Sequence, residues 1–410
     1  MALARSPLAP DRFPSMPEVA GVRLAAGAAG IRYPGRPDLL LVELAPGTAA
    51  GGVFTRSSLP GHPVSWCRRI LAGGRARGLV VNAGNANVLN GVAGDRAVLE
   101  TAEVAARLLA CPADQVYVAS TGVIGEPLPV ERLVAALPSL HGRLVADGFE
   151  AAADAIRTTD TFAKGSARRA GIGGTTVHIA GIAKGSGMIQ PDMATMLAFV
   201  FTDARLPAPL LRALLAELTP PTFGSITVDG DTSTSDTLLL FATGRSGHPE
   251  IAGPGDPALA GFRAALQEVL GDLARQVVRD GEGASKLVEI RVHGAEGDAS
   301  ARKIAFSVAN SPLVKTAIAG EDANWGRVAM AVGKSGEPVE PARFGITFGG
   351  HAVARNGERV PGLDEAPVRA RLKQREIDLE IVVGSGPGRA IVWTSDLTHD
   401  YVSINADYRS

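Results

Sequence analysis

The 410-residue chain is poor in several features that mark large protein classes. It has only two cysteines, Cys67 and Cys111, and its seven histidines are scattered singly. Two thiols permit one disulfide at most, and two reduced thiols in a cytoplasmic protein are the plainer expectation. No Cys/His spacing suits zinc, so no metal is expected. Neither sign of charge dominates, with 41 Lys and Arg against 42 Asp and Glu. Such balance leaves no basic footprint for nucleic acid or for an anionic membrane. Long apolar runs are missing too, since no stretch reaches the roughly 20 residues a spanning helix needs. Near the start, Pro7, Pro10, Asp11, Arg12 and Pro14 interrupt any signal-like run. These absences point to a cytoplasmic protein.

Glycine and proline, by contrast, are plentiful at 49 and 27 residues, which implies many tight turns. The length suggests two lobes. Short runs rich in Val, Ile and Leu predict strands at 39–43, 78–82, 115–120, 176–182, 196–202, 225–229, 237–243, 287–292, 377–383 and 390–394. Helical periodicity predicts helices over 96–110, 130–147, 149–158, 207–218, 257–279 and 311–318, with Pro207 and Pro257 at favourable starts. Strands come in pairs and helices singly or in twos. That order predicts an α+β protein or a layered α/β sandwich over a doubly wound sheet. A domain boundary is expected near 280–286, giving a core over 1–285 and a smaller C-terminal α/β domain over 286–410.

Several glycine-rich runs invite a nucleotide reading and fail it. Gly333-Lys334-Ser335 ends like a P-loop, but Val328 stands where the first glycine belongs. Gly384-Ser385-Gly386-Pro387-Gly388 lacks the dinucleotide spacing. Asp229-Gly230-Asp231-Thr232-Ser233 opens like a calcium loop, yet Thr234 and Leu240 occupy the positions of the invariant glycine and glutamate. Turns are the expectation at all three.

Other segments carry chemistry. In Lys184-Gly185-Ser186-Gly187-Met188-Ile189-Gln190-Pro191-Asp192-Met193-Ala194-Thr195, a glycine-rich loop leads into a strand. Were the Ala194–Thr195 bond cut, Thr195 would hold a hydroxyl and a free α-amine, a nucleophile and its base on one residue. Ser120-Thr121-Gly122 follows a predicted strand and could aim a hydroxyl and a backbone N–H at one oxyanion, although such a segment is more often a turn. Asn82, Asn85 and Asn87 either hold backbone or face a ligand, the structural role being the default. Thr158-Thr159-Asp160-Thr161 reads as capping chemistry or as polar groups facing a substrate. Asp280-Gly281-Glu282-Gly283 reads as a turn or a close approach to a ligand. The terminal segment reads, by itself, as a frayed tail.

Taken together and in order, NAGNAN (82–87), STGVIGE (120–126), TTDTF (158–162), KGSGMI with MATML (184–197), ITVDGDTSTSD (226–236), DGEGASK (280–286), NWGR (324–327) and INADYRS (404–410) closely resemble the glutamate N-acetyltransferases of arginine biosynthesis, also called ornithine acetyltransferases. The resemblance runs through nearly the whole chain. It implies an N-terminal-nucleophile-like site and self-cleavage between Ala194 and Thr195 into fragments 1–194 and 195–410. Those fragments would stay together as a heterotetramer with two copies of each. The resemblance assigns Thr195 as nucleophile, Thr121 and Gly122 to the oxyanion, and Thr161, Lys184, Thr195, Glu282, Asn405 and Ser410 to substrate. It therefore brings the C-terminus into the site and replaces the frayed-tail expectation.

The implied reaction is ping-pong transfer of acetyl from N2-acetylornithine to glutamate through an acetyl-threonine, with no cofactor. Acetyl-CoA is possible as a second donor. The alternatives are an N-terminal-nucleophile amidase or aminopeptidase, and an uncleaved amino-acid-binding protein.

Overall fold

The computed structural model describes residues 4–32, 35–190 and 196–407. In chain order the first half runs β1 (Val22–Gly27), β2 (Leu39–Leu44), β3 (Ala49–Phe54), α1 (His62–Ile70), β4 (Gly78–Asn85), α2 (Gly91–Leu108), β5 (Val116–Val123), α3 (Val130–His141), α4 (Phe149–Ala155), β6 (Lys164–Ile172) and β7 (Thr175–Lys184). It continues with β8 (Leu197–Thr202), α5 (Ala208–Leu218), β9 (Thr237–Ala242) and α6 (Ala260–Arg279). The last third holds β10 (Leu287–Ala295), α7 (Asp298–Ala309), α8 (Pro312–Ala319), α9 (Trp325–Gly333), β11 (Gly345–Phe348), β12 (His351–Arg355), β13 (Glu358–Arg359), α10 (Ala366–Leu372), β14 (Glu376–Val382), β15 (Gly388–Ser395) and α11 (His399–Asp407).

The strands form three sheets, ordered β1-β2-β4-β5, β3-β9-β8-β7-β6 and β13-β12-β11-β14-β10-β15. The first two pack face to face, and strand alternation shows how. In β8, Leu197, Phe199 and Phe201 join the cluster shared with the first sheet, while Ala198 and Val200 join a second cluster under α5 and α6. Side chains of successive strand residues point to opposite faces, so one run of apolar residues fills two cores. Tyr117 of β5 meets Phe241 of β9 edge-on at 5.5 Å between the sheets. On the far side of the first sheet, Trp66, Val98, Leu133 and Leu137 of α1, α2 and α3 complete its core. Helices therefore cover both outer faces of two stacked sheets. This is the layered α+β arrangement expected. The third sheet has its own core, with Ile304 and Val308 of α7 packed against Val288, Ile290 and Leu379.

Several elements depart from the sequence expectation. The segment 225–229 is not a strand: Phe223–Ser225 is a 3-10 turn. Thr227 N–H bonds Trp393 O and Val228 N–H bonds Ile189 O, so its partners lie on separate segments and no ladder forms. The helix from Val130 ends at His141, because Val145 exchanges backbone hydrogen bonds with Leu24. β4 and β5 run three residues further than predicted, which puts Thr121 and Gly122 in a strand end instead of a loop. Residues 399–407 form α11 rather than a tail following a strand. Cys67 and Cys111 are unpaired. Among the described residues, no helix is long and apolar enough to cross a membrane.

Candidate active site

Strand ends, loops and the last helix enclose a cavity of about 290 Å³. Its lining includes Thr121 and Gly122 from β5, Lys184 from β7, Met196 and Leu197 at the start of β8, Asp236 before β9, Glu282 after α6, and Tyr401 and Asn405 of α11. The two elements of the expected oxyanion pair are therefore on the wall. Register between β4 and β5 shifts at Gly84 and Asn85. A bulge of this kind bends a strand end and re-aims what it carries. Gly122 sits at φ +132°, and a Cβ there would fall 2.3 Å from the Gly84 carbonyl carbon. Only glycine allows the two strand ends to approach so closely.

Lys184 Nζ donates to Thr121 Oγ1 at 2.9 Å and to Thr158 Oγ1 at 3.2 Å. With its oxygen accepting from lysine, the Thr121 hydroxyl can turn its own hydrogen into the cavity. Burial pushes the Lys184 ammonium below its ordinary pKa, while Asp160 opposes that shift.

Behind the wall, Lys164 Nζ is fully buried between Asp160 Oδ1 at 2.6 Å and Asp280 Oδ2 at 2.5 Å. Asp160 also accepts from Gly185 N–H at 2.6 Å, fixing the turn that follows Lys184. Burial alone would raise the Asp160 carboxyl, but Lys164, Lys184 and these hydrogen bonds outweigh it and hold it well below the usual range. Thr161 belongs to this support: its hydroxyl donates to Asp280 and its oxygen accepts from Ser6 N–H. It is not among the cavity's lining residues, whereas Thr158 and Thr159 are.

Across the cavity, Glu282 N–H bonds Ser186 O at 2.9 Å, and its carboxylate accepts from Asn405 Nδ2 at 2.8 Å. A Cβ on Gly187 would lie 2.4 Å from Glu282 Oε2, so that glycine makes room for the carboxylate. Burial raises Glu282 above its ordinary pKa. The calcium-like loop has a different job. Asp229 accepts from Met188, Ile189 and Asp231 N–H groups and holds the glycine-rich turn. Among the described residues, no group of three or more His, Cys, Asp or Glu is arranged to hold a metal.

Asn82, Asn85 and Asn87 spend their amides on the backbone of residues 85, 126, 127 and 94. They brace the wall, and Ala86 between them faces the cavity. Thr121, Gly122, Lys184, Glu282 and Asn405 are thus brought together. Ala194, Thr195 and Ser410 lie outside the described residues. The sequence reading missed Asp236, Tyr401 and the 233–235 hydroxyls, all lining residues. Its one available signal was the density of Ser and Thr between Asp231 and Asp236.

Among the described residues, the cavity carries four carboxyls, Asp229, Asp231, Asp236 and Glu282, against one ammonium, Lys184. Such a site suits a ligand with a cationic group and can polarise a carbonyl oxygen against Thr121 and Gly122.

Known proteins share this chain's whole length. It is 56% identical to the arginine biosynthesis bifunctional protein ArgJ of Gluconobacter oxydans, over 99% of this chain and 95% of that one. It is 54% identical to the protein of the same name from Agrobacterium fabrum, over all of both chains. Among solved structures, the ArgJ protein of Bacillus halodurans matches at 41% identity with a TM-score of 0.48, over 50% of this chain and 96% of that one. The ArgJ family model matches residues 23–410. The chain belongs to the ArgJ family.

Proposed function

We propose that this chain is an acetyltransferase of arginine biosynthesis that moves acetyl from N2-acetylornithine to glutamate through an ester on Thr195. The observation that carries this reading is the convergence of Thr121, Gly122, Lys184, Glu282 and Asn405 on one cavity whose wall includes Met196, the residue bonded to Thr195. The chain first cuts its own Ala194–Thr195 bond. The freed α-amine titrates at about 8 and accepts the hydroxyl proton at neutral pH. Thr195 Oγ attacks the acetyl carbonyl, and Thr121 and Gly122 stabilise the oxyanion. Glu282 and the other carboxyls receive the ornithine ammonium, Asn405 holds Glu282, Ser410 completes substrate contact, and Thr161 supports the wall through Asp280. Glutamate then takes the acetyl group from the ester.

The relatives' designation as bifunctional supports a second activity, which we assign to acetyl-CoA as an alternative donor with no bound cofactor. The fragments assemble as two copies of each, in the cytoplasm. The decisive assay gives the purified protein glutamate with either N-acetylornithine or acetyl-CoA and follows N-acetylglutamate. Release of acetate from N-acetylornithine with no N-acetylglutamate would assign the chain to the amidases instead. N-terminal sequencing of the C-terminal fragment should read Thr-Met-Leu-Ala.

A further inference from the structure

The Lys184 side chain sits inside a closed ring of hydrogen bonds, and one carboxylate closes it. At its tip, Nζ donates to Thr158 Oγ1 at 3.2 Å. Thr158 in turn donates its backbone N–H to Asp160 Oδ2 at 3.0 Å. Asp160 Oδ1 accepts from the N–H of Gly185, the residue after Lys184, at 2.6 Å. The ring therefore runs from the lysine's head through Thr158 and Asp160 back to its own backbone. Asp160 lies on the link before β6, its side chain has no solvent exposure, and it is not among the lining residues of the cavity.

The charge state inside this ring matters to Thr121. Lys184 Nζ donates to Thr121 Oγ1 at 2.9 Å. An ammonium has three donors and no acceptor, so the Thr121 hydrogen cannot turn back toward it. A neutral amine has a lone pair. The hydroxyl can then donate inward to Nζ, and the cavity loses that donor.

We propose that Asp160 is a positioning residue for acetyl transfer: its carboxylate keeps Lys184 an ammonium aimed at Thr121, and so keeps the Thr121 hydroxyl hydrogen facing the cavity. Asp160 acts only through Lys184. The proposal rests on the reading above, in which the Thr121 hydroxyl stabilises the oxyanion.

The surrounding charges give the direction of the effect. Burial pushes the Lys184 ammonium below its ordinary pKa. Asp160 is the largest influence against that fall, Lys164 adds to it, and Asp236 and Glu282 oppose it more weakly. These groups come from the elements around the lysine: Asp160 before β6, Lys164 in β6, Asp236 before β9 and Glu282 after α6. Asp280 stands behind Lys164, and Asp229, Asp231 and Tyr401 lie elsewhere on the cavity wall. Loss of Asp160 and loss of Lys164 therefore act on Lys184 in opposite senses. Without Asp160 the lysine gives up its proton at a lower pH, and without Lys164 at a higher one.

The test follows ornithine release from N-acetylornithine in a single turnover of the cleaved enzyme, without glutamate, from pH 6.5 to 10. Asp160→Asn keeps an oxygen to accept from Gly185 N–H but loses the charge. Its rate should fall on the alkaline side at a pH about one unit or more below that of wild type, the usual effect of removing a close opposite charge. In Lys164→Met the alkaline limb should move up instead. Both variants lose buried ionic contacts, so a packing role alone would lower both rates without moving the limbs apart. Thr121→Ala should be slow and lack this limb, because no hydroxyl remains to turn. A limb unmoved in Asp160→Asn, limbs that move the same way in the two variants, or a limb that keeps its wild-type place in Thr121→Ala would each overturn the proposal. If Asp160→Asn does not fold, Lys164→Met and Thr121→Ala still decide it. Wild-type protein that releases no ornithine would instead overturn the acetyl-transfer reading itself.

Discussion

Lys184 Nζ lies 2.9 Å from Thr121 Oγ1, and this one hydrogen bond decides where the Thr121 hydroxyl points. On the proposed reading the lysine acts on the oxyanion indirectly, by occupying the acceptor side of the Thr121 hydroxyl. Thr121→Ala should lower kcat about 100- to 1000-fold, the usual effect of losing an oxyanion donor. Thr121→Ser keeps the hydroxyl and should retain most of the rate. Lys184→Met should fall between them in acetyl transfer. Steady-state kinetics on the cleaved enzyme checks all three, and equal rates for Thr121→Ala and Thr121→Ser would remove the hydroxyl from the mechanism.

Gly122→Ala should abolish turnover and lower the melting temperature. A Cβ at φ +132° and 2.3 Å from Gly84 forces β4 and β5 apart. The backbone strain alone costs about 1–3 kcal/mol. Thermal unfolding and the acetyl-transfer assay report the two effects separately.

Lys164→Met should destabilise the protein by about 3–5 kcal/mol, because it leaves Asp160 and Asp280 buried without their cation. The sign with pH follows from Asp160. Its depressed carboxyl contributes stability above its ordinary pKa, and that contribution disappears as pH falls through the folded value. The variant's deficit should therefore be full at pH 6 and shrink as pH falls below the ordinary carboxyl value of 3.8. Urea denaturation at pH 6 and at pH 3 tests this, and an equal deficit at the two values would contradict it.

Lys315 offers a pH signature away from the cavity. It is fully buried against Thr394 Oγ1 and Ser395 O, and burial lowers its ammonium from 10.5 to about 8 despite Asp396. Between those values the unfolded chain binds more protons than the folded one, so stability should rise with pH from about 8 toward 10.5. The shift corresponds to about 3 kcal/mol. In Lys315→Met that rise should be absent when denaturation is followed across this range.

Glu282→Gln should raise KM for N-acetylornithine about tenfold or more while Asn405→Ala has a smaller effect, since on the proposed reading Glu282 meets the substrate's ammonium and Asn405 holds Glu282. Substrate-dependence curves distinguish this from a general loss of kcat.

The sequence made some elements plain and hid others for physical reasons. β8 and β9 are buried on both faces, so their unbroken apolar runs were readable. β6 was not, because Lys164, Arg168 and Arg169 break its pattern, and the burial of Lys164 needs Asp280, 116 residues away, as well as Asp160. β3 was hidden by Gly51 and Gly52; Gly51 is small because Leu211 of α5 rests on it. Thr121 and Lys184 were recognisable through their motifs. Asp236 was not, since a carboxyl's burial and its place beside β8 arise from strand order, which no local window contains.

Strand order has one more consequence. In the second sheet, β9 and β8 come from beyond residue 195, and they lie between β3 on one side and β7 and β6 on the other. A cut between Lys184 and Leu197 would thus leave two polypeptides clasped like interlaced fingers. Neither could withdraw without dismantling a shared sheet, so separation and unfolding become a single event. An intact precursor would refold as one body, whereas a cut enzyme would have to find its other half. Its recovery from denaturant would then depend on protein concentration, a property such a chain would acquire by its own first act of chemistry.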